Sequence, residues 1–281
     1  MTLHRSGGGR GGFLLLPLLL ATLPAAAAEP EVKASFLPSW FSGDFGTGVD
    51  ARIVTLPFSV SASFGKHELR ATLPWLSVTT AEPVVLVGGE VVGRPDEVPA
   101  PQVPPLPGGP AGSEQEGETS VSGIGDLVVQ YEHFFLEGDG RRPWLSGIAR
   151  LKVPTADEEK GLGTGSADYG GGIGLSQPLG GRWSGFGSAL YLVRGDAPGL
   201  DLRDTFWWSA GVQARLGERA SIHVVYDDRQ SSIRGREASR SAGLGFDRRI
   251  GDRATFRAAL FAGLSETAED LGASIGFSFG S

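Results

Sequence analysis

Few side chains in this sequence could carry catalytic or metal chemistry. It has no Cys, and beyond its first 28 residues it has three His, at positions 67, 133 and 223. His223 shares one side of an extended segment with Ser221 and Asp227. A Ser–His–acid unit needs its base within hydrogen-bond reach of the nucleophile, yet side chains two apart on a strand face stand about 7 Å apart. No His pair has the spacing of metal ligands. We therefore expect neither an enzyme nor a metal site.

Cofactor and nucleic-acid binding are also disfavoured. The Gly-rich run 161–172 has the composition of a phosphate-binding loop, but it lacks the Lys-Ser/Thr ending and no helix follows it. Turn and bend formation accounts better for these glycines. The chain has 25 Lys and Arg against 32 Asp and Glu and shows no basic patch. We expect no cofactor and no nucleic-acid partner.

A second group of side chains could act on a passing solute. In the alternating segments described below, every second residue points to the same side, and we call the two sides the two parities. Charged residues and two Trp recur at one parity: Arg70, Asp126, Glu132, Arg150, Lys152, Arg215, His223, Asp227, Asp247, Arg257, Trp144 and Trp207. If this parity faces a wet interior, facing charges would select and orient a solute, and the two Trp could contact an aromatic one. The alternatives are a salt-bridged, filled interior and Trp side chains that anchor strand ends.

The start of the chain has the three parts of a secretory signal peptide. His4, Arg5 and Arg10 provide positive charge, residues 13–23 are apolar, and Ala26–Ala28 offers small residues for cleavage. The apolar run is too short for a transmembrane helix, which needs about 20 residues. We predict a signal peptide at 1–28 and a mature chain at 29–281, with 23 basic and 32 acidic residues.

The mature chain alternates apolar with polar or small residues in period-two runs, for example at 54–62, 206–216, 254–264 and 271–279. Soluble strands usually have about 5–6 residues, whereas a tilted membrane strand needs about 9–11. Several runs reach the longer figure. No later segment has the apolar length of a membrane-spanning helix, so a membrane location would require closed β-structure.

Short and long connections alternate along the chain, as in bacterial barrels with short periplasmic turns and longer outer loops. The pattern predicts about eleven strands near 51–64, 67–79, 123–136, 143–154, 167–178, 182–194, 204–216, 220–228, 238–250, 253–265 and 271–279. A twelfth fits at 33–44, where Pro38 indicates an edge or bulge. The predicted fold class is an all-β, antiparallel transmembrane β-barrel of about 12 strands.

The segment 80–122 stands apart from this pattern. It holds seven Pro between Pro95 and Pro110, followed by three Glu. This composition is typical of a mobile segment without a core. We interpret 80–122 as a long Pro/Gly-rich outer loop. A surface insertion is favoured over a partial plug.

Short motifs resemble a known family. They are Ser42 to Gly46, Thr55 to Phe58, Leu69 to Leu76, Gly123 to Leu127, Lys152 to Thr155 and Gly161 to Tyr169. In this order they resemble the outer-membrane proteins grouped under the meta-pathway of phenol degradation, a family often called transporter-like. The resemblance spans about residues 40–280.

The resemblance implies a barrel in the bacterial outer membrane, a porin-like transport role for small molecules, aromatic ones among them, and no catalysis. The implied partners are outer-membrane lipid, a small-molecule solute and the barrel-assembly machinery. One departure is the end of the chain, where Gly280 and Ser281 follow the aromatic Phe279. Two alternatives stay open: a non-conducting structural or binding barrel, and a soluble periplasmic β-sandwich binding protein.

Overall fold

A computed structural model describes residues 30–93, 118–138 and 140–280. The predicted signal peptide at 1–28 lies outside the described residues, as does the Pro-rich part of the 80–122 segment. Among the residues that the structure describes, no helix is long and apolar enough to cross a membrane.

The described residues form sixteen strands: β1 (Glu31–Phe36), β2 (Ser39–Gly43), β3 (Ala51–Phe64), β4 (His67–Thr80), β5 (Val84–Val87), β6 (Glu90–Gly93), β7 (Thr119–Ile124), β8 (Leu127–Leu136), β9 (Trp144–Val153), β10 (Asp168–Gly180), β11 (Trp183–Val193), β12 (Thr205–Arg215), β13 (Ala220–Arg229), β14 (Ser239–Ile250), β15 (Ala254–Gly263) and β16 (Leu271–Gly280).

Fourteen of these strands make one sheet that closes on itself. β1 and β2 are two parts of one barrel strand, and both pair with β3 on one side and β16 on the other. β7 and β8 likewise both pair with β4. Counting each broken strand once gives a twelve-strand, antiparallel closed barrel, which confirms the predicted fold class. The break between β1 and β2 falls at Pro38, which cannot donate a ladder hydrogen bond.

The apolar side chains of the alternating strands face outward. Large side chains such as Ile173, Leu260 and Ile275 are each more than half exposed on the outer surface of the wall. The unbroken barrel strands have 10 to 14 residues, enough for a tilted membrane crossing. The alternative of a two-layered soluble sandwich is therefore wrong, because these side chains do not meet across a dry centre.

The alternation reverses at the outer ends of β3 and β4. Leu76 and Val78 point inward and are buried, whereas Thr79 lies on the outer side and its hydroxyl donates to Ser120 Oγ at 3.1 Å. Polar groups outside and apolar groups inside indicate that this part of the wall rises beyond the hydrocarbon. The inward apolar side chains then need something inside the barrel to cover them.

The strands β5 and β6 supply that cover and are called the plug hairpin. They are joined at Gly88 and Gly89, whose positive φ values of 61° and 93° suit a two-residue hairpin turn. One face of the hairpin packs on Ile53 and Leu76 of the wall. The other packs against the outer-loop residues Leu200, Leu202 and Ile233. Sequence reasoning favoured a surface insertion here, but residues 84–93 pack inside because their Val and Leu side chains bury both faces.

Candidate functional site

A cavity of about 390 Å³ lies in the outer half of the barrel, beneath the tip of the plug hairpin. Its volume falls in the range of small-molecule sites, about 300–1,000 Å³. Gly88 and Gly89 of the hairpin turn line it. A Cβ at Gly88 would overlap the guanidinium of Arg194, so the backbone of the turn lies directly against that side chain.

One wall of the cavity is apolar. Phe261 on β15, Phe41 on β2, Ile53 on β3 and Leu76 on β4 contribute to it. These strands are neighbours around the point where the barrel closes, so their inward side chains form one continuous surface. Leu86 of the plug hairpin extends this surface over the cavity.

The opposite wall contains a buried ion-pair network. Lys152 Nζ lies 3.2 Å from both Asp126 Oδ2 and Asp168 Oδ2, and Arg194 Nη1 lies 2.8 Å from Asp168 Oδ2. Lys152 Nζ also donates to Thr164 Oγ1 at 3.0 Å. Buried charges are tolerated only when paired and hydrogen-bonded. The network therefore locks the outer ends of β9, β10 and β11 to the loop that follows β9.

Beside the network, three arginines surround Trp207. The guanidinium carbons of Arg150, Arg194 and Arg229 lie 5.6, 5.0 and 5.5 Å from the indole centroid. These distances fit cation–π contact. Arg150 on β9 reaches Trp207 on β12 across the two intervening strands, β10 and β11, and it pairs with Gly170 on the first of them. We call these three side chains the guanidinium cluster.

Two further carboxylates line the cavity near Arg229. Asp227 lies two residues before it on β13, and Glu269 lies in the outer loop between β15 and β16. Burial raises the pKa of the Glu269 carboxyl above its usual value, although Arg229 and a hydrogen bond with Ser241 act in the opposite direction. The cavity thus has an apolar wall, a basic wall and an acidic flank.

Five of the residues proposed from the sequence to face a lumen line this cavity: Asp126, Arg150, Lys152, Asp227 and Trp207. The others lie in the periplasmic half of the barrel. Arg70 Nη2 donates to Glu68 at 2.7 Å, and Glu132 accepts a hydrogen bond of 2.5 Å from Ser146. Trp144 makes an edge contact with Phe134, with ring centroids 5.9 Å apart.

Asp247 is the centre of the remaining group. His223 Nδ1 and Arg257 Nε each lie 3.4 Å from one of its carboxylate oxygens. Arg215, at the end of β12, donates to the Gly181 carbonyl at 3.2 Å. His223 is therefore paired with a carboxylate on the neighbouring strand, and the structure does not assemble it with Ser221 and Asp227.

Sequence reasoning missed Asp168, Arg194, Arg229 and Glu269. Three of them stand at the first or last residue of a strand or just beyond it, where predicted bounds merge into loops. A signal did exist for Arg229, which has the parity of Asp227. Glu269 enters the cavity from a loop, and strand parity carries no information about loops.

Comparison with known proteins gives one family. The family model described as "Putative MetA-pathway of phenol degradation" matches residues 45–279. No curated protein sequence matches the chain.

Comparison with solved structures gives several matches that cover most of the chain. The COG4313 outer membrane channel from Pseudomonas putida F1 is 10% identical and has a TM-score of 0.68, covering 90% of this chain and 96% of its own. The KdgM porin is 5% identical with a TM-score of 0.49, covering 88% and 98%. The translocator domain of the autotransporter NalP from Neisseria meningitidis is 14% identical with a TM-score of 0.48, covering 92% and 90%. The first match supports the barrel fold.

Proposed function

This chain belongs to the family of the MetA-pathway of phenol degradation, and from that premise we propose that it is a passive outer-membrane channel for small molecules, aromatic ones among them. One observation carries the proposal: the closed barrel encloses a cavity with an apolar wall facing a charged one. An apolar wall favours the ring of an aromatic solute, and charged groups opposite it orient polar substituents.

The route follows from the two halves of the lumen. A solute enters past the plug hairpin, occupies the cavity and continues into the periplasmic half, where charged side chains such as Arg70 and Arg257 are half exposed. No step needs a covalent change, and the gradient of the solute supplies the driving force. The description of the Pseudomonas putida structure as an outer membrane channel supports the same proposal.

The remaining partners follow from the surface and the ends of the chain. The outward Leu, Ile and Phe side chains contact outer-membrane lipid. In this proposal residues 1–28 direct export, and the barrel-assembly machinery inserts the mature chain through its last strand. That strand, β16, ends at Gly280, one residue after the aromatic Phe279.

Planar-bilayer recording of the purified mature protein tests the proposal. We expect discrete current steps, together with entry of phenol into proteoliposomes faster than into protein-free vesicles. Folding is checked by a heat-dependent shift in electrophoretic mobility. A folded protein that produces no steps and no uptake would contradict the channel.

The second candidate function, a binding barrel without flux, has one observation in its favour. The plug hairpin crosses the mouth between the wall and the outer loops. In that case solute would bind to the folded protein in detergent, while bilayers would stay silent even after the hairpin is removed.

A further inference from the structure

We infer that the guanidinium cluster binds the carboxylate of a small aromatic acid, whose ring lies against the apolar wall of the cavity. The inference rests on the proposed function for access, because an external acid reaches the cavity only if the barrel admits it. It goes beyond that function by naming the charged group of the ligand and the side chains that recognise it.

The first argument is that two of the three arginines lack a direct ion pair among the described residues. Arg150, Arg194 and Arg229 converge on one indole, and like charges this close repel one another. Within the described part of the chain, only Arg194 has a carboxylate within 4.0 Å, that of Asp168. Asp168 also forms an ion pair with Lys152. An anion between Arg150 and Arg229 would relieve the repulsion.

The second argument is a pair of donors without acceptors. The side chain of Arg194 is 3% exposed. Its Nε and the Nε1 of Trp207 are both buried, and neither has a hydrogen-bond partner among the described residues. Buried donors are normally paired. A carboxylate carries two oxygens that only accept, and it matches the planar fork of a guanidinium, so it supplies what this wall lacks.

The third argument selects an aromatic acid over a simple anion. Phe41 and Phe261 lie across the cavity, with ring centroids 5.8 Å apart. Phe45, which is 7% exposed, lines the same side. Aromatic rings pack favourably edge-on or offset against one another. A planar ring with one carboxylate therefore matches both walls at once, whereas acetate would use one wall alone.

The acidic flank sets the orientation. Asp227 and Glu269 line the cavity beyond Arg229, and neither lies within 4.0 Å of a guanidinium nitrogen in the residues described. They repel a carboxylate from the β13–β15 side. The favoured position is therefore at the Arg150 end of the guanidinium cluster.

Calorimetric titration of the purified, folded protein in detergent tests the inference with three probes. Benzoate carries ring and charge, benzyl alcohol carries the ring alone, and acetate carries the charge alone. We expect saturable benzoate binding that is about tenfold or more tighter than that of either other probe, because charge-assisted hydrogen bonds are lost in one and ring burial in the other. If the unsubstituted protein binds benzoate and benzyl alcohol with equal affinity, the inference is overturned.

Substitutions locate the site. Arg150→Gln and Arg229→Gln keep the side-chain length and remove the charge, and each should weaken benzoate binding about tenfold or more. The matched control is Arg240→Gln. Arg240 lies at the same outer end of the barrel, but it faces outward, between the cavity-lining Ser239 and Ser241, and pairs with Asp228. Unchanged binding in both cluster variants, or an equal loss in the control, would overturn the inference.

The outcome is distinguishable from a failure of the proposed function. Binding in detergent needs no flux, and current steps in chloride need no aromatic acid. Current steps with no benzoate preference would overturn the carboxylate site and leave the channel. Benzoate binding by a silent protein would support the site and remove the channel.

Discussion

The outer and periplasmic halves of the lumen contain the same kinds of charged side chain in different surroundings. In the outer half, the side chains of Lys152, Asp168 and Arg194 are 7%, 7% and 3% exposed. In the periplasmic half, those of Arg70 and Arg257 are both 50% exposed. Both groups of side chains lie on the inner side of the wall, so the difference in exposure comes from what covers them. The plug hairpin and the outer loops exclude water from one half and leave the other open.

The largest expected effect is the loss of a buried carboxylate. Asp168→Asn would leave Lys152 and Arg194 buried with little countercharge, and we expect it to lower the free energy of unfolding by about 3–5 kcal/mol. Urea titration of the barrel in lipid vesicles measures this. The matched change in the periplasmic half, Asp247→Asn, should cost less than about 1 kcal/mol because Arg257 remains solvated. Equal costs would refute the comparison.

The second largest effect is expected when the contacts that hold the plug hairpin in place are weakened. Glu90 of the plug hairpin accepts hydrogen bonds from Ser231 Oγ at 2.5 Å, Ser232 N at 2.8 Å and Arg236 Nη1 at 3.3 Å. Glu90→Ala should weaken hairpin docking by about 1–3 kcal/mol and increase the time spent in higher-conductance states. Single-channel recording measures the change. Glu82→Ala, an exposed position before the hairpin, is the control, and the same conductance pattern in both variants would count against a plug.

A smaller effect is expected on ion selectivity. Arg150→Glu reverses a charge in the covered half, where little water screens it, and should shift the reversal potential in a salt gradient several-fold more than Arg257→Glu. Arg257 is half exposed, so mobile ions screen the charge of the residue that replaces it. Equal shifts would show that the two halves are equally wet.

The smallest effect concerns pH. Burial raises the pKa of Glu269 in the folded state, so its contribution to stability is present below the unfolded pKa and is lost as pH rises through the folded pKa. Glu269→Gln removes this loss of stability because the amide does not ionise. The variant should be slightly more stable than the wild type at neutral pH and equal to it at acidic pH, as measured by urea titration at both pH values. Glu266→Gln, in the same loop and exposed, should show no such dependence.

Much of the wall could be predicted from the sequence. The expected strand at 51–64 has the observed bounds, and the strand expected at 67–79 differs by one residue. Pro38 marked the break between β1 and β2. These features are local, because alternation and turn residues act over a few neighbouring positions. The family resemblance found from short motifs is confirmed by the family model.

The site was only partly predictable. Parity placed Arg150 and Trp207 on the inner side of the wall, but nothing in the sequence indicated that they would touch across two strands. The plug hairpin was hidden within a Pro-rich segment, although Val84 to Val87 is an apolar run. The inward-facing Leu76 and Val78 indicate a covered interior, but only the structure shows that the plug hairpin covers them.

The sequence by itself determined which side of each strand meets lipid, because a period of two is a property of the extended chain. The tertiary structure alone decided which inward charges are buried and paired. Closure of the barrel sets which strands face one another, and the docked hairpin sets where water is excluded. Both depend on contacts between residues far apart in the chain, such as Glu90 with Ser231, and no local pattern encodes them.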